Sequence, residues 1–477
     1  MVLGHRRGRC RSYRHGPVKV SPMLDSPLVQ AQAGVRTAGW KELRLEGWGR
    51  NSQSDCLAAR PERMQDMVSA LATPEGRSLI AHGAGRSYGD AALNTGGAAV
   101  LTTRLDRILS FDASTGLLVA EPGVTFADLM ATFLPKGFLV PVSPGTGYVT
   151  LGGAVANDVH GKNHHKVGSI GNHIVWLDLL VPDGRSLRVS EASDADLFRA
   201  TLGGIGLTGI VTAICLRMMA VGSNALTVRR RRIGNLEEFL EAFQAASKTS
   251  YSVGWIDAMA RGKALGRGII ETAEPSESSL APTHERRKRF PIDAPGWLLN
   301  GLSVSAFNAV YWRRAPVTAD EQAVTYRTFF YPLDAIESWN RMYGKRGFQQ
   351  FQCVVPFGTG EKALRLLLDT IAAAGAASFL AVLKTMGPKG RGMLSFGMPG
   401  YSLALDIPTK PGSKELFVAL ERITRDAGGC IYLAKDSAMS PAGFAAMYPE
   451  LAAFRAVRAR IDPQGRLSSD MARRLGI

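Results

Sequence analysis

Short apolar runs bounded by turn residues alternate with brief helical repeats along most of this chain. SLIAHGAG (78–85), AAVLTT (98–103) and GLLVAEPG (116–123) each hold a few consecutive apolar positions and predict strands. TFADLMATFL (125–134) places its apolar residues three and four apart and predicts a helix. This mixture of α and β continues to about residue 222. Past Arg229 the charge rises, and NLEEFLEAFQAA (235–246) sets Leu236, Phe239, Leu240 and Phe243 on one helix face. After the apolar segment WLLNGLSVSAFNAVYW (297–312) come a strand over FQQFQCVVPF (348–357), a helix over ALRLLLDTIAAAG (363–375) and strands near 379–384 and 401–407. From residue 415 two helical patterns flank a strand over CIYLAKDS (430–437). Residues 1–39 lack periodicity and predict a disordered basic tail, and 273–295, rich in Pro, Ser, Glu and Arg, predicts a long mobile loop.

A length of 477 residues suggests two or three domains, and 45% hydrophobic with 21% charged residues is ordinary globular usage. The net charge of +16 points toward anionic partners, but Arg6, Arg7, Arg9, Arg11, Arg14 and Lys19 of the tail supply +6 of it. Two further basic knots, Arg229 to Arg232 and Arg286 to Arg289, fit either a solvated surface or an anion-facing role. Five widely spaced cysteines without a CxxC argue against a disulfide framework or zinc ribbon. No run reaches the roughly 18 apolar residues of a membrane span, and the basic N-terminus lacks an apolar signal core, so the expected location is cytoplasmic, peripheral at the inner membrane, with the periplasmic side left open.

Glycine changes the picture most. The 52 glycines are concentrated at turns and close approaches, above all in PGTGYVTLGGAVANDVHGKNHHKVGSIGNH (144–173), which also holds four of the eight histidines. Glycine lets a backbone approach a ligand closely and offer N–H groups to a phosphate. A metal would use His160 and His164 on one helix face, and Gly161 and Gly168 argue against that helix; no metal site is expected. GGIGLTGI (203–210) contains GxGxxG, but it follows a helical pattern and precedes a strand, the reverse of a dinucleotide fingerprint. A basic nucleic-acid binder has only charge in its favour, because no helix-turn-helix, zinc or aromatic-basic motif is present.

GAGRSYGD (83–90), TLGGAVANDVHGKNHH (150–165), GGIGLTGI (203–210) and DPQGRLSSDMARRL (462–475) together resemble the vanillyl-alcohol-oxidase (PCMH-type) FAD-binding family, most of all its members that act on polyprenylphosphoryl-ribose in arabinan precursor synthesis. The resemblance implies an α+β fold. A PCMH-type FAD-binding domain would be built from both chain ends (40–223 and 430–477), around a central α+β substrate domain (224–429) containing an antiparallel sheet. It implies FAD as cofactor, held by Ala81, His82, Gly83, Ala84, Gly85, Arg86, Ser87, Tyr88, Gly89, Asp90, Ala91, Gly145, Thr150, Leu151, Gly152, Gly153, Asn157, Asp158, Val159, His160, Val211 and Tyr432. Many relatives bind the flavin covalently through a histidine where this chain has Arg86, so non-covalent FAD is expected. Lys435 and His160 match catalytic positions, and Lys162, Phe330, Gln350, Gln352, Lys384 and Asp406 match substrate positions.

Strand alternation independently puts Gln350 and Gln352 on one face, where buried amides are costly unless they bind something. The activity implied is oxidation of a sugar hydroxyl to a ketone, with a soluble alditol or aldonolactone as the alternative substrate. The partners implied are the polyprenyl-phosphate-linked sugar, a separate NAD(P)H-dependent keto-sugar reductase and an anionic membrane, with no nucleic acid. Two departures stand out. Ala404 occupies a position where actinobacterial members have cysteine, and Phe330 one where they have tyrosine. Inhibitors that react with that thiol are expected to fail here.

Overall fold

A computed structural model describes residues 39–281, 288–296, 298–376 and 379–477. The expected tail therefore lies outside the described residues, as do Arg286, Arg287 and Trp297. The fold is α+β and organised by three larger sheets.

Two of these sheets come from the N-terminal half. In the first, Lys41–Glu46 pairs antiparallel with Gln53–Ala59, which runs parallel to Ala98–Leu101, itself parallel to Leu79–His82. The second is wholly antiparallel and ordered Ile108–Asp112, Leu117–Ala120, Ile210–Arg217, Ile174–Leu180, Ser186–Val189. Its central strand Ile210–Arg217 is buried at every position but the last, which explains its near-continuous apolar run. The helix predicted over 125–134 is Phe126–Phe133, started by a capping box between Thr125 and Asp128.

The chain's end returns to the first sheet. Leu79 N–H donates to Arg466 O at 2.7 Å, Ser468 N–H donates to Leu79 O at 3.0 Å, and Arg474 grips Asp90 at 2.8 Å and Asp436 at 2.9 Å. All of these but Arg474–Asp436 connect residues more than 380 apart in sequence, and Arg474, by bonding both aspartates, holds the glycine segment at 83–90 to the strand-turn at 430–437.

The third sheet has eight antiparallel strands, in the order Asp320–Thr325, Ala225–Ile233, Gly268–Pro275, Tyr251–Ile256, Ala381–Met386, Gly400–Pro408, Phe348–Pro356, Cys430–Ile431. The amphipathic helices Leu236–Ala245, Phe357–Ala374 and Ser413–Asp426 bury their apolar residues in the same core. Because the last strand comes from residue 430 onward, this sheet and the chain's return are continuous.

The structure refines three expectations. Within the loop expected over 273–295, the first three residues end the strand Gly268–Pro275 and Lys288–Arg289 pairs with Ile336–Glu337, while residues 282–287 lie outside the described residues. Asp293 is held by Arg50 at 2.7 Å and Arg341 at 3.1 Å. Asp293 thus ties this segment to distant parts of the chain. Only Cys430–Ile431 of the predicted strand over 430–437 is a strand, because Leu433–Lys435 turns back with Lys435 N–H bonded to Tyr432 O. The basic knot at 229–232 is spent locally, since Arg229 pairs with Glu321, Arg230 with Glu271 at 3.4 Å and Arg231 with Glu238 at 2.7 Å, while Arg232 lies over Trp312.

Candidate active site

A cavity of about 840 Å³ runs from the glycine segments of the N-terminal half to one face of the eight-stranded sheet. One end is backbone-walled. Ala81 to Gly89 lie along it, opposite Gly145, Thr150, Gly152 and Gly153. Thr150 caps the short helix Leu151–Ala156 by accepting from Gly153 N–H. A methyl group on Gly83 would sit 2.5 Å from Thr150 Oγ1, so only glycine allows the two segments to face each other at this spacing. Gly145 has nothing within 4 Å of where its side chain would be, leaving a bare backbone edge.

Buried polar atoms without protein partners face this space: Arg86 Nε, Asn157 Oδ1 and His160 Nδ1. Such groups are costly unless a ligand meets them. Arg86 carries its guanidinium over the rings of Trp48 at 4.2 Å and Tyr148 at 4.9 Å. A long slot with a peptide-lined end and orphaned donors and acceptors farther in fits a dinucleotide carrying a large flat ring.

The other end is crowded with amines. Lys162, Lys384 and Lys435 all line it, and burial holds their ammonium groups down to about 8, about 8 and about 7. Lys162 donates to Phe329 O and lies 4.0 Å from the Phe329 ring, and Lys435 sits 3.8 Å over Tyr88. Asp406 is fully buried behind them, accepting from Gln350 Nε2 at 2.5 Å and Tyr343 OH at 3.0 Å. Burial raises its carboxyl to about 7, although both hydrogen bonds and the nearby Lys435 favour the charged form.

His160 is fixed from two sides. The rings of Phe396 and Tyr432 pack against it, tilted, with centroids 5.4 and 5.1 Å away, and Gln352 Nε2 donates to its Nε2 at 2.9 Å. The proton of the neutral ring is therefore on Nδ1. Burial, together with Lys384, His164 and Lys435, keeps the ring well below the usual histidine range, hence neutral. The short helix His164–Val167 begins beyond His160, so the two histidines do not share a helix face. Instead His164 accepts from Gly387 N–H at 3.0 Å through Nδ1 and faces Ser169 Oγ at 3.2 Å.

Most residues singled out from the sequence meet in this cavity, including Lys162, Phe330, Gln350, Gln352, Lys384, Lys435, Val159, Val211 and Tyr432. Four do not reach its wall. Asp90 turns away to Arg474, Leu151 is packed in the core, and Asp406 stands behind Gln350. Asp158, in a left-handed conformation with φ 40°, accepts from Gly171 N–H at 2.9 Å and Ser395 Oγ at 2.5 Å. It thereby anchors the loop that carries His160. The sequence reading missed Trp48, Tyr148, Trp255, Glu271, Tyr311 and Asp334, which also line the cavity. It also gave no site role to Ile205, Gly206 and Gly209, although the glycine spacing at 203–210 was a visible signal. Ile205 is a β-branched residue at φ 46°, a strained conformation of the kind that clusters at ligand sites.

Comparison with known proteins bears on the same residues. Residues 57–190 match the FAD binding domain family, and residues 403–475 match the D-arabinono-1,4-lactone oxidase family. The chain is 38% identical over 447 residues, 91% of its length and 97% of the relative's, to decaprenylphosphoryl-β-D-ribose oxidase of Mycolicibacterium smegmatis. It is 33% identical over 74% of its length to the whole of an uncharacterised Streptomyces coelicolor protein. Bovine L-gulonolactone oxidase is 26% identical over 38% of this chain and 41% of its own length.

Proposed function

Because the chain belongs to the FAD-binding oxidase family that includes decaprenylphosphoryl-β-D-ribose oxidase, and is an FAD-dependent oxidoreductase, we propose that it oxidises the ribose 2-hydroxyl of a polyprenylphosphoryl-β-D-ribose to the 2-keto sugar. The observation that carries this reading is the cluster of three buried lysines beside the Gln350–Gln352 face. Amines suit a phosphodiester, and amides suit sugar hydroxyls. In this reading the two N-terminal sheets with the chain's return hold the cofactor, and the eight-stranded sheet holds the substrate.

FAD, when bound, accepts the hydrogen and electron pair of the sugar C–H bond. The residues of the chain handle the proton and the position. Burial pushes the Lys435 ammonium down to about 7, which makes its neutral amine available near neutral pH to take the hydroxyl proton. His160, kept neutral and with its proton on an unpartnered Nδ1, is left with an N–H to offer a bound ligand and does not compete as a base. Gln352 fixes that tautomer, and Asp406 holds Gln350 and raises the affinity of Lys435 for its proton. Arg86 cannot form the covalent flavin link of a histidine, so we take FAD to be bound without one.

The keto product needs a separate NAD(P)H-dependent reductase to complete an epimerisation, and the prenyl tail requires peripheral contact with a membrane. No described helix is long and apolar enough to cross one. The match at 403–475 favours a second reading, an oxidase of soluble alditols or aldonolactones. Treating the reaction mixture with borodeuteride settles the position of oxidation. Deuterium at C2 of the lipid-linked pentose is expected, and label at another carbon, or none, overturns the reading.

A further inference from the structure

The helix Gly301–Arg314 has an unusual distribution of side chains. Its inner side is built into the protein: Val304 is buried, Asn308 donates to Asp257 Oδ1 at 2.8 Å, Trp312 donates to Ile233 O at 2.8 Å, and Tyr311 lines the cavity. Its outer side is not polar, as a water-facing helix surface would be. Leu302 is 85% exposed, Phe307 50% and Val310 49%, and Leu298 before the helix and Val317 after it are also exposed. From Ala294 to Ala319 the sequence has no acidic residue. The cations are grouped at one end of the helix, where Arg313 and Arg314 are exposed, while Arg346 lies against Gly296 at the start of the segment.

Resting on the lipid-linked reading above, we propose that this outer face is the surface that docks on an anionic lipid bilayer and admits the substrate's prenyl tail to the cavity. Apolar side chains next to clustered arginines match the layering of acyl chains beneath anionic headgroups. A route inward is built in. Half-exposed Phe307 stacks on Tyr311 with centroids 6.0 Å apart and meets Phe379 at 5.6 Å, and both Tyr311 and Leu380 belong to the cavity wall. A tail following these rings stays in apolar contact from the bilayer to the sugar site.

The test uses the FAD-loaded protein and two variants away from the cavity wall, Leu302→Asp/Val310→Asp and Arg313→Ser/Arg314→Ser. Wild type should cosediment with phosphatidylglycerol-containing vesicles and less with pure phosphatidylcholine. Both variants should bind the anionic vesicles about tenfold more weakly, the first at any salt and the second mainly at low salt. Flavin content and activity on a short-chain, water-soluble phosphoryl-ribose should be unchanged, while activity on vesicle-embedded long-chain substrate falls with binding. Variants that cosediment like wild type overturn the proposal. So does a wild-type dimer in sedimentation velocity that Leu302→Asp/Val310→Asp dissociates, which would assign the face to a second copy of the chain. If wild type leaves the short-chain substrate unoxidised, the substrate reading fails while the vesicle arm still judges the surface.

Discussion

Lys435→Met separates the catalytic reading of this lysine from a structural one. Burial brings its ammonium from 10.5 to about 7. At about 1.4 kcal/mol for each pH unit, that interval means the fold carries about 5 kcal/mol for keeping the charge buried below pH 7. The contact with Tyr88 at 3.8 Å, worth about 0.5–2 kcal/mol, is lost in the variant. Methionine should therefore stabilise the folded protein by about 3 kcal/mol at pH 6. The sign then follows from linkage. Between pH 7 and 10.5 folded wild type has shed the proton that the unfolded chain still holds, so wild type gains stability as pH rises and the advantage of the variant shrinks, by about 3 kcal/mol between pH 6 and 9. Asp406, deprived of a neighbouring cation in the variant, adds to the change in the same direction. Denaturant unfolding of the FAD-loaded proteins at both pH values measures this, and flavin reduction by substrate should fall about 10²–10⁴-fold with flavin content intact. A variant that is less stable at pH 6, or one that reduces its flavin at the wild-type rate, refutes the reasoning.

In wild type, flavin reduction in stopped flow should rise with pH through about 7 as Lys435 deprotonates, and Asp406→Asn, by removing the carboxylate that raises the lysine, should move that rise to lower pH. A rise that stays in place would detach Asp406 from the base. Acid precipitation should leave yellow FAD in the supernatant, because a guanidinium such as that of Arg86 cannot make the covalent flavin link a histidine makes; colour in the pellet would contradict this. Gly83→Ala places a methyl group 2.5 Å from Thr150 Oγ1, so the purified variant should contain little FAD while keeping its far-ultraviolet circular dichroism.

The site was legible in the sequence wherever its chemistry is local. The glycines at 144–173 showed a backbone-walled pocket because few other roles need such density, and QQFQ showed two amides on one face because strand alternation is strict. Arg86, Trp48 and Tyr148 form one stacked group from three separate segments, and no periodicity in any of them announces it. Asp90 and Asp158 were placed among ligand-facing residues with their motifs, but a motif carries structural members too: one anchors the chain's end, the other the histidine loop. At 273–295 composition could not show that Asp293 meets Arg50 and Arg341, because these partners come from distant parts of the chain.

The central claim concerns the substrate, and anaerobic mixing tests it most directly. With oxygen excluded, polyprenylphosphoryl-ribose should bleach the visible absorbance of the bound flavin, while free alditols and aldonolactones at the same concentration leave it yellow. Bleaching by the free polyols or lactones, with the lipid-linked ribose inert, would contradict the account.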